Sequence, residues 1–257
     1  MIEIFNPPKA GDSVSWLAPP ELPTLNNEEV HVWRASLEMT PYQVKTLEQL
    51  LSADEMDKAE RFHFQKDRDH FIAARGILRS ILGRYLKMNP DKLKIYYGPY
   101  GKPALTGETG GNFRFNISHS HGLALFSFAL DREIGVDLEY IRSDLSDGNI
   151  AAQFFSQREA VALNALPENV RQKAFFTLWT RKEAYLKEQG RGLSGDLKQS
   201  EVFPVLGCPS ESPEINGSSQ EESPWLLMDL AVLPEYAAAL AVEGHDLQFK
   251  FWQWDNA

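Results

Sequence analysis

Trp179-Thr180-Arg181-Lys182-Glu183-Ala184-Tyr185-Leu186-Lys187 is the stretch on which the reading of this chain turns, and Glu188-Gln189-Gly190-Arg191-Gly192-Leu193-Ser194 follows it. Its spacing predicts a helix. Phe175, Leu178, Trp179 and Leu186 fall on one side and form an apolar stripe that faces a core. Gly190 is a natural stop, with Lys187 in the last turn. At about 100° per residue, Lys182 falls inside the stripe and Glu183 on its edge. Lys187 lies one turn beyond Glu183, directly above it. A helix that only packs keeps its charges on the far side. This one carries an acid and two bases at or beside the buried face, which reads either as an edge salt bridge or as a site.

Composition narrows the class. At 257 residues the chain holds one large domain or two ordinary ones. Hydrophobic residues at 43% and charged residues at 24% place it among globular proteins with ample core. The net charge of −10 argues against nucleic acid and anionic membrane surfaces as partners, while a local basic pocket stays open. Cys208 is the only cysteine, so no internal disulfide forms, and a reducing compartment is expected. The first residues lack a basic region followed by a long apolar run, and no run reaches membrane-spanning length. The expectation is a cytoplasmic protein.

Along the chain, residues 6–27 are proline-rich and read as an extended arm. Val30 to Ala35 reads as a strand and Pro41 to Leu51 as a helix. Ser52 with Glu55 is a capping-box pattern that opens a second helix. The segment from Arg61 to Arg75 runs into a long amphipathic helix whose apolar face is Ile77, Leu78, Ile81, Leu82, Tyr85 and Leu86. Lys66, Arg68, His70, Arg75 and Arg79 make the densest basic cluster here, either a solvated helix face or an anion site. Leu93 to Tyr97 reads as a strand, and Gly101-Lys102-Pro103 fixes one positive charge in a turn. Phe113 to Ile117 begins a strand, and Ser118-His119-Ser120-His121 is expected at the turn before a second strand, Leu123 to Leu130. Such a turn presents hydroxyl and imidazole groups to a phosphate. Ser156 with Glu159 is a second capping box, and Pro167 breaks the helix it opens. Residues 207–224 are expected to be a mobile loop, and three closing strands follow from Trp225, Tyr236 and Leu247.

One strand stands out. Ile134-Gly135-Val136-Asp137-Leu138-Glu139-Tyr140 alternates strictly, with Gly135, Asp137 and Glu139 on one face. Two carboxylates side by side repel unless a cation sits between them, and a hard divalent ion such as magnesium suits oxygen ligands. The other reading is a polar strand facing solvent. Gly135 beside the acids leaves room for a close ligand. With Glu183, three carboxylates come from a strand and a helix, and Lys66, Arg75, Lys102, His119 and Lys187 supply cations. Together they suggest a magnesium-bound polyphosphate.

The order of these motifs resembles the 4′-phosphopantetheinyl transferases of the surfactin-synthetase-activating type. Gly101-Lys102-Pro103, Phe115-Asn116-Ile117-Ser118-His119-Ser120, Gly135-Val136-Asp137-Leu138-Glu139, Phe154-Phe155-Ser156, Trp179 to Lys187 and Gly190-Arg191-Gly192-Leu193 carry the resemblance, over about residues 50–200. It implies transfer of phosphopantetheine from coenzyme A to a serine of an apo carrier protein, of a fatty-acid, polyketide or nonribosomal-peptide system, with release of adenosine 3′,5′-bisphosphate. It implies Asp137, Glu139 and Glu183 as metal ligands, Glu183 and Lys187 as catalytic groups, and Lys187, Lys102, Ser118, His119 and Asp137 around the coenzyme. Lys66 and Arg75 fall where the family meets its adenosine end. The chain departs from the pattern around Lys58, which Asp54, Glu55 and Asp57 surround. A metal ligand is a weaker base, so Glu183 and a water molecule both stand as acceptors of the serine proton. The implied fold class is α+β: two similar halves related by a pseudo-twofold axis, each a small antiparallel sheet packed with a long helix. The halves are set at residues 1–131 and 132–257. A monomer is implied. Since carrier proteins are acidic, an apolar or locally basic docking patch is expected.

Overall fold

A computed structural model describes residues 3–5, 15–106, 110–142, 154–190 and 225–255. The expected mobile loop 207–224, Cys208 and the Arg191-Gly192-Leu193 part of the motif lie outside them. The chain divides into two compact units, and the main break falls between Arg132 and Glu133. The amino-terminal unit is 15–132 with 247–257. The carboxy-terminal unit is 133–246 together with the segment at the start of the chain.

The strands are β1 (Glu3–Phe5), β2 (Glu29–Ser36), β3 (Ile95–Tyr97), β4 (Pro103–Leu105), β5 (Phe113–Ser120), β6 (Leu123–Leu130), β7 (Ile134–Tyr140), β8 (Trp225–Asp229), β9 (Tyr236–Glu243) and β10 (Gln248–Gln253). The helices are α1 (Pro41–Glu48), α2 (Ala53–Ala59), α3 (Gln65–Leu86), α4 (Gln157–Ala165) and α5 (Glu168–Glu188). The result is a mixed α+β protein. Among the described residues no helix is long and apolar enough to cross a membrane.

The units repeat one plan. In the amino-terminal unit the sheet order is β10-β2-β6-β5, and in the carboxy-terminal unit it is β1-β8-β9-β7. Each has a first strand, a long helix and a hairpin, and the last hairpin strand (β6 or β9) inserts between the other two, antiparallel to both. The wholly antiparallel sheets expected from the sequence are met only in these three-stranded cores. Each sheet gains a parallel edge strand from the far end of the chain: β10 beside β2, and β1 beside β8. A strand that arrives by a long connection is free of the hairpin's antiparallel constraint.

In the amino-terminal unit, Ala73, Ala74, Ile77, Leu78, Ile81 and Leu82 of α3 pack on Trp33, Phe115, Phe126 and Phe128 of the sheet. The turn from β5 to β6 is shorter than the sequence suggested. Ser118, His119 and Ser120 are strand residues, paired with Leu125, Ala124 and Leu123. Only His121 and Gly122 turn, both at positive φ (47° and 83°), the geometry whose twist matches flanking strands.

In the carboxy-terminal unit the helix lies close on the sheet because the sheet face beneath it is nearly bare. Ala237, Ala239 and Ala241 of β9 stand on that face, paired with Glu139, Asp137 and Gly135 of β7. A Cβ added at Gly135 would sit 2.1 Å from the Ala184 carbonyl oxygen and 2.4 Å from the Glu188 nitrogen. The room that the sequence reading gave to a ligand at Gly135 is filled by helix backbone. Two backbones in contact are the reason for a glycine there.

Both units also carry the same buried ion pair. The capping-box acid Glu55 accepts from the Ser52 nitrogen at 3.1 Å and from Arg79 Nε at 2.6 Å. The capping-box acid Glu159 accepts from the Ser156 nitrogen at 2.8 Å and pairs with Lys182 Nζ at 2.6 Å. Arg79 is the fifteenth residue of α3 and Lys182 the fifteenth of α5. The capping boxes were legible, and their cationic partners were not. Arg79, read as part of either a solvated helix face or an anion site, is neither: it is 1% exposed and committed to Glu55 and to the carbonyls of Pro90 and Leu93.

Two outcomes test this architecture. Gly135→Ala forces a methyl group into backbone that cannot yield, so it is expected to cost about 3 kcal/mol or more in urea unfolding. Arg79→Ala strands a buried carboxylate and is expected to cost roughly 3–5 kcal/mol by the same measurement.

Candidate active site

Four of the sequence-derived site residues meet within the carboxy-terminal unit. Asp137 and Glu139 stand on β7 two residues apart, facing α5, and Glu183 and Lys187 come from one side of α5. Asp137 is 4% exposed and Glu183 7%. Lys187 Nζ donates to Asp137 Oδ1 at 2.6 Å and to the Val136 carbonyl at 3.3 Å. Glu183 Oε1 is buried without a hydrogen-bond partner. Burial is the main cause that pushes the Glu183 carboxyl up to about 7. The charges of Asp137 and Glu139 push it the same way, and Lys187 pulls it partly back.

The helix is fixed on both flanks of this cluster. Asp137 of β7, Ala239 of β9 and Asp229 of β8 form one row across the sheet. Lys187 takes the acid at one end of the row. Arg181 takes the other, through two bonds of 2.7 Å to the Asp229 carboxylate.

The donor set fits a hard divalent cation. Three carboxylates crowd together, one with an unmatched buried oxygen, and their mutual repulsion is what such an ion relieves. Among the described residues no three acidic or histidine side chains stand at ligating distance of one point. Lys187 pairs with Asp137 Oδ1, so one oxygen of the donor set is engaged by a lysine in this structure.

The remaining predicted residues lie in the amino-terminal unit. Lys66 is exposed at the start of α3 and pairs with Glu38 at 3.0 Å, beside His70. Lys102 sits in the turn from β3 to β4, where the Gly98 nitrogen donates to its carbonyl. Ser118 is buried and His119 exposed, as neighbours on an extended strand point to opposite faces. Arg75 stacks its guanidinium 5.2 Å from the Tyr97 ring and 5.3 Å from the Phe71 ring, and its buried Nη1 has no hydrogen-bond partner.

Lys58 emerges beside Arg75, although the sequence reading gave it no role. Its ammonium lies 5.5 Å from the Tyr97 ring and 5.8 Å from the Phe71 ring. Burial first, then the Arg75 and Arg61 charges, lower its pKa. Lys58, Arg61, Phe62 and Tyr97 line a pocket with Asp54 and Glu55. The acids that seemed to neutralise Lys58 do not all do so, because Glu55 turns inward to Arg79. Only the packing of α2 on α3 reveals this.

Comparison with known proteins settles the family. A family model described as the 4′-phosphopantetheinyl transferase superfamily matches residues 133–241, and one described as 4′-phosphopantetheinyl transferase, N-terminal, matches residues 33–127. The 4′-phosphopantetheinyl transferase HetI of Nostoc sp. is 40% identical over 93% of this chain and 98% of its own. The chain belongs to the 4′-phosphopantetheinyl transferases. The Sfp 4′-phosphopantetheinyl transferase of Bacillus subtilis is 28% identical over 59% of this chain and 66% of its own. The L-aminoadipate-semialdehyde dehydrogenase-phosphopantetheinyl transferase of Xenopus laevis is 25% identical over 74% and 67%. Each of the two family models falls within one of the two units.

For this transferase the Glu183 environment has a thermodynamic signature. An acid whose folded pKa is raised binds more protons folded than unfolded between the two values. Stability is therefore full below the unfolded pKa and falls as pH rises from about 4.5 to about 7. In chelator, Glu183→Gln should remove this slope and stabilise the protein at pH 8 by on the order of 2–3 kcal/mol. Urea unfolding of both proteins at pH 5 and pH 8 checks it. Equal pH slopes would remove the strained carboxylate from the account.

Proposed function

We propose that this transferase moves 4′-phosphopantetheine from coenzyme A to a serine of an apo carrier protein. The observation that carries the reading is the buried Glu183 carboxylate, set against Asp137 and Glu139 with Lys187 one turn away. The serine oxygen attacks the phosphorus that bears pantetheine, the bond from that phosphorus to the bridging oxygen breaks, and adenosine 3′,5′-bisphosphate leaves. Glu183 is suited to take the serine proton, since its environment holds it near neutral pH as a base. Lys187 is suited to follow the leaving phosphate charge, because its ammonium is only partly buried and already lies at the acid row.

Asp137, Glu139 and Glu183 are the residues that would hold magnesium. The ion, when bound, neutralises pyrophosphate charge and lowers the basicity of Glu183, and a water molecule is then the other candidate for the proton. The resident lysine supports this reading: a cation already occupies the acid row, and a stronger one can replace it there.

For the adenosine bisphosphate end, the Lys58, Arg61 and Arg75 cluster over Tyr97 and Phe71 is better supported than Lys66. The Arg75 and Arg61 charges act against the Lys58 ammonium there, and an anion relieves that. Lys66 already has Glu38. Lys102 and His119 remain proposed contacts. Ser118, on the opposite face from His119, reaches the same phosphate only if that phosphate lies at the strand edge.

The surfactin-synthetase-activating type is supported by motif order and by the match to Sfp. Carriers of fatty-acid, polyketide and nonribosomal-peptide systems are all proposed substrates. A monomer in the cytoplasm is proposed from the single cysteine and the family resemblance.

The test is the intact mass of an apo carrier after incubation with the protein, coenzyme A and magnesium, with and without chelator. One phosphopantetheine should be added, and chelator should prevent it. Glu183→Ala should keep the fold, because it removes a strained charge, and lower transfer by roughly 10²–10³-fold or more. Coenzyme A cleaved with no carrier modified would make the protein a hydrolase instead. Coenzyme A bound but intact, with no carrier modified, would make it a binding module.

A further inference from the structure

We propose that Lys182 and Glu159 are positioning residues, whose buried ion pair sets the rotation of α5 and so holds Glu183 against Asp137 and Glu139. The inference rests on the transferase reading for its assay, and on geometry for its argument.

Both side chains are 0% exposed, so neither can touch a substrate. Glu159 is itself immobilised, since one of its oxygens also receives the Ser156 nitrogen at the start of α4. Lys182 Nζ lies 5.6 Å from the Phe155 ring, which walls the pair. Arg181, Lys182 and Glu183 follow one another at about 100° on the helix. Arg181 is tied down to Asp229 of β8 and Lys182 is tied sideways to Glu159 of α4. Glu183 is left pointing at β7.

Glu183 gains little by staying there. It is buried, one oxygen has no hydrogen-bond partner, and the charges of Asp137 and Glu139 oppose it, offset only in part by Lys187. A rotation of α5 that carried this side chain toward water would relieve that repulsion and burial. The two ion pairs on the preceding residues resist that turn from different directions.

The amino-terminal unit supplies an internal control. The same capping-box pair, Glu55 with Arg79, occupies the same helical position. The residue after Arg79 is Ser80, which bonds back to the Gly76 carbonyl of its own helix at 2.9 Å. There the pair is followed by a side chain that turns back onto its own helix. In the carboxy-terminal unit the same device is followed by an acid.

The test is Lys182→Met combined with Glu159→Gln. It removes both charges without stranding either, and glutamine still serves the capping box. The expected result is a folded protein that binds coenzyme A, by calorimetry in chelator, within about threefold of the parent. Its kcat for carrier modification should fall by about 10–100-fold, as misplaced groups do, and the magnesium midpoint should rise. An unchanged kcat overturns the proposal, whether the melting temperature holds or falls, since the pair is then structural only. If the double variant does not fold, Lys182→Arg decides. Arg79 shows that arginine makes this pair, but its longer fork shifts the helix. A kcat lowered at least fivefold supports positioning, and a parental kcat overturns it. Parental activity that survives chelator would refute the metal ligands and leave the kcat comparison intact.

Discussion

Contact between two backbones governs the carboxy-terminal unit. The α5 helix can descend on the sheet only because Gly135 has no side chain and Ala237, Ala239 and Ala241 have nearly none. Van der Waals contact at that depth carries Glu183 and Lys187 into reach of β7. A leucine at any of those places would lift the helix and separate the acids. The charge cluster is thus a product of packing. Burial then raises the cost of every charge it encloses, which gives Glu183 its altered acidity.

The two units show how one architecture serves two purposes. Strand order, the inserted hairpin and the capping-box acid with its buried cation recur in both. In the amino-terminal unit the residues around the repeated pair finish a hydrophobic core of aromatic side chains from β5 and β6. In the carboxy-terminal unit the corresponding sheet face carries Gly135, three alanines, Leu227 and the carboxylates Asp137, Glu139 and Asp229. Stability and chemistry are written at neighbouring positions of the same helix.

Much of this was legible beforehand. Strict alternation placed Asp137 and Glu139 on one face of β7, and helical spacing placed Glu183 one turn from Lys187. Both capping boxes announced their helices. What stayed hidden was every partner that long-range folding supplies. Nothing near Arg79 in the chain points to Glu55, and nothing near Lys182 points to Glu159, because the pairs join separate helices. Gly135 was read as space for a ligand, since a glycine's vacancy looks the same from the sequence whatever fills it. Lys58 was discounted for its acidic neighbours, one of which turns inward to Arg79. The turn after β5 was drawn too long, because small polar residues suit a strand as readily as a loop when the sheet holds them.

The parallel edge strands have a consequence for biosynthesis. The sheet of the amino-terminal unit is completed by β10, which follows the whole of the other unit, and β1 completes the sheet of the carboxy-terminal unit. As the chain leaves the ribosome, β2 must wait with an open edge until nearly everything else has been made. Cutting the chain between Arg132 and Glu133 would leave each fragment with a strand that belongs to its counterpart. Each sheet is finished by a strand from the opposite end of the chain.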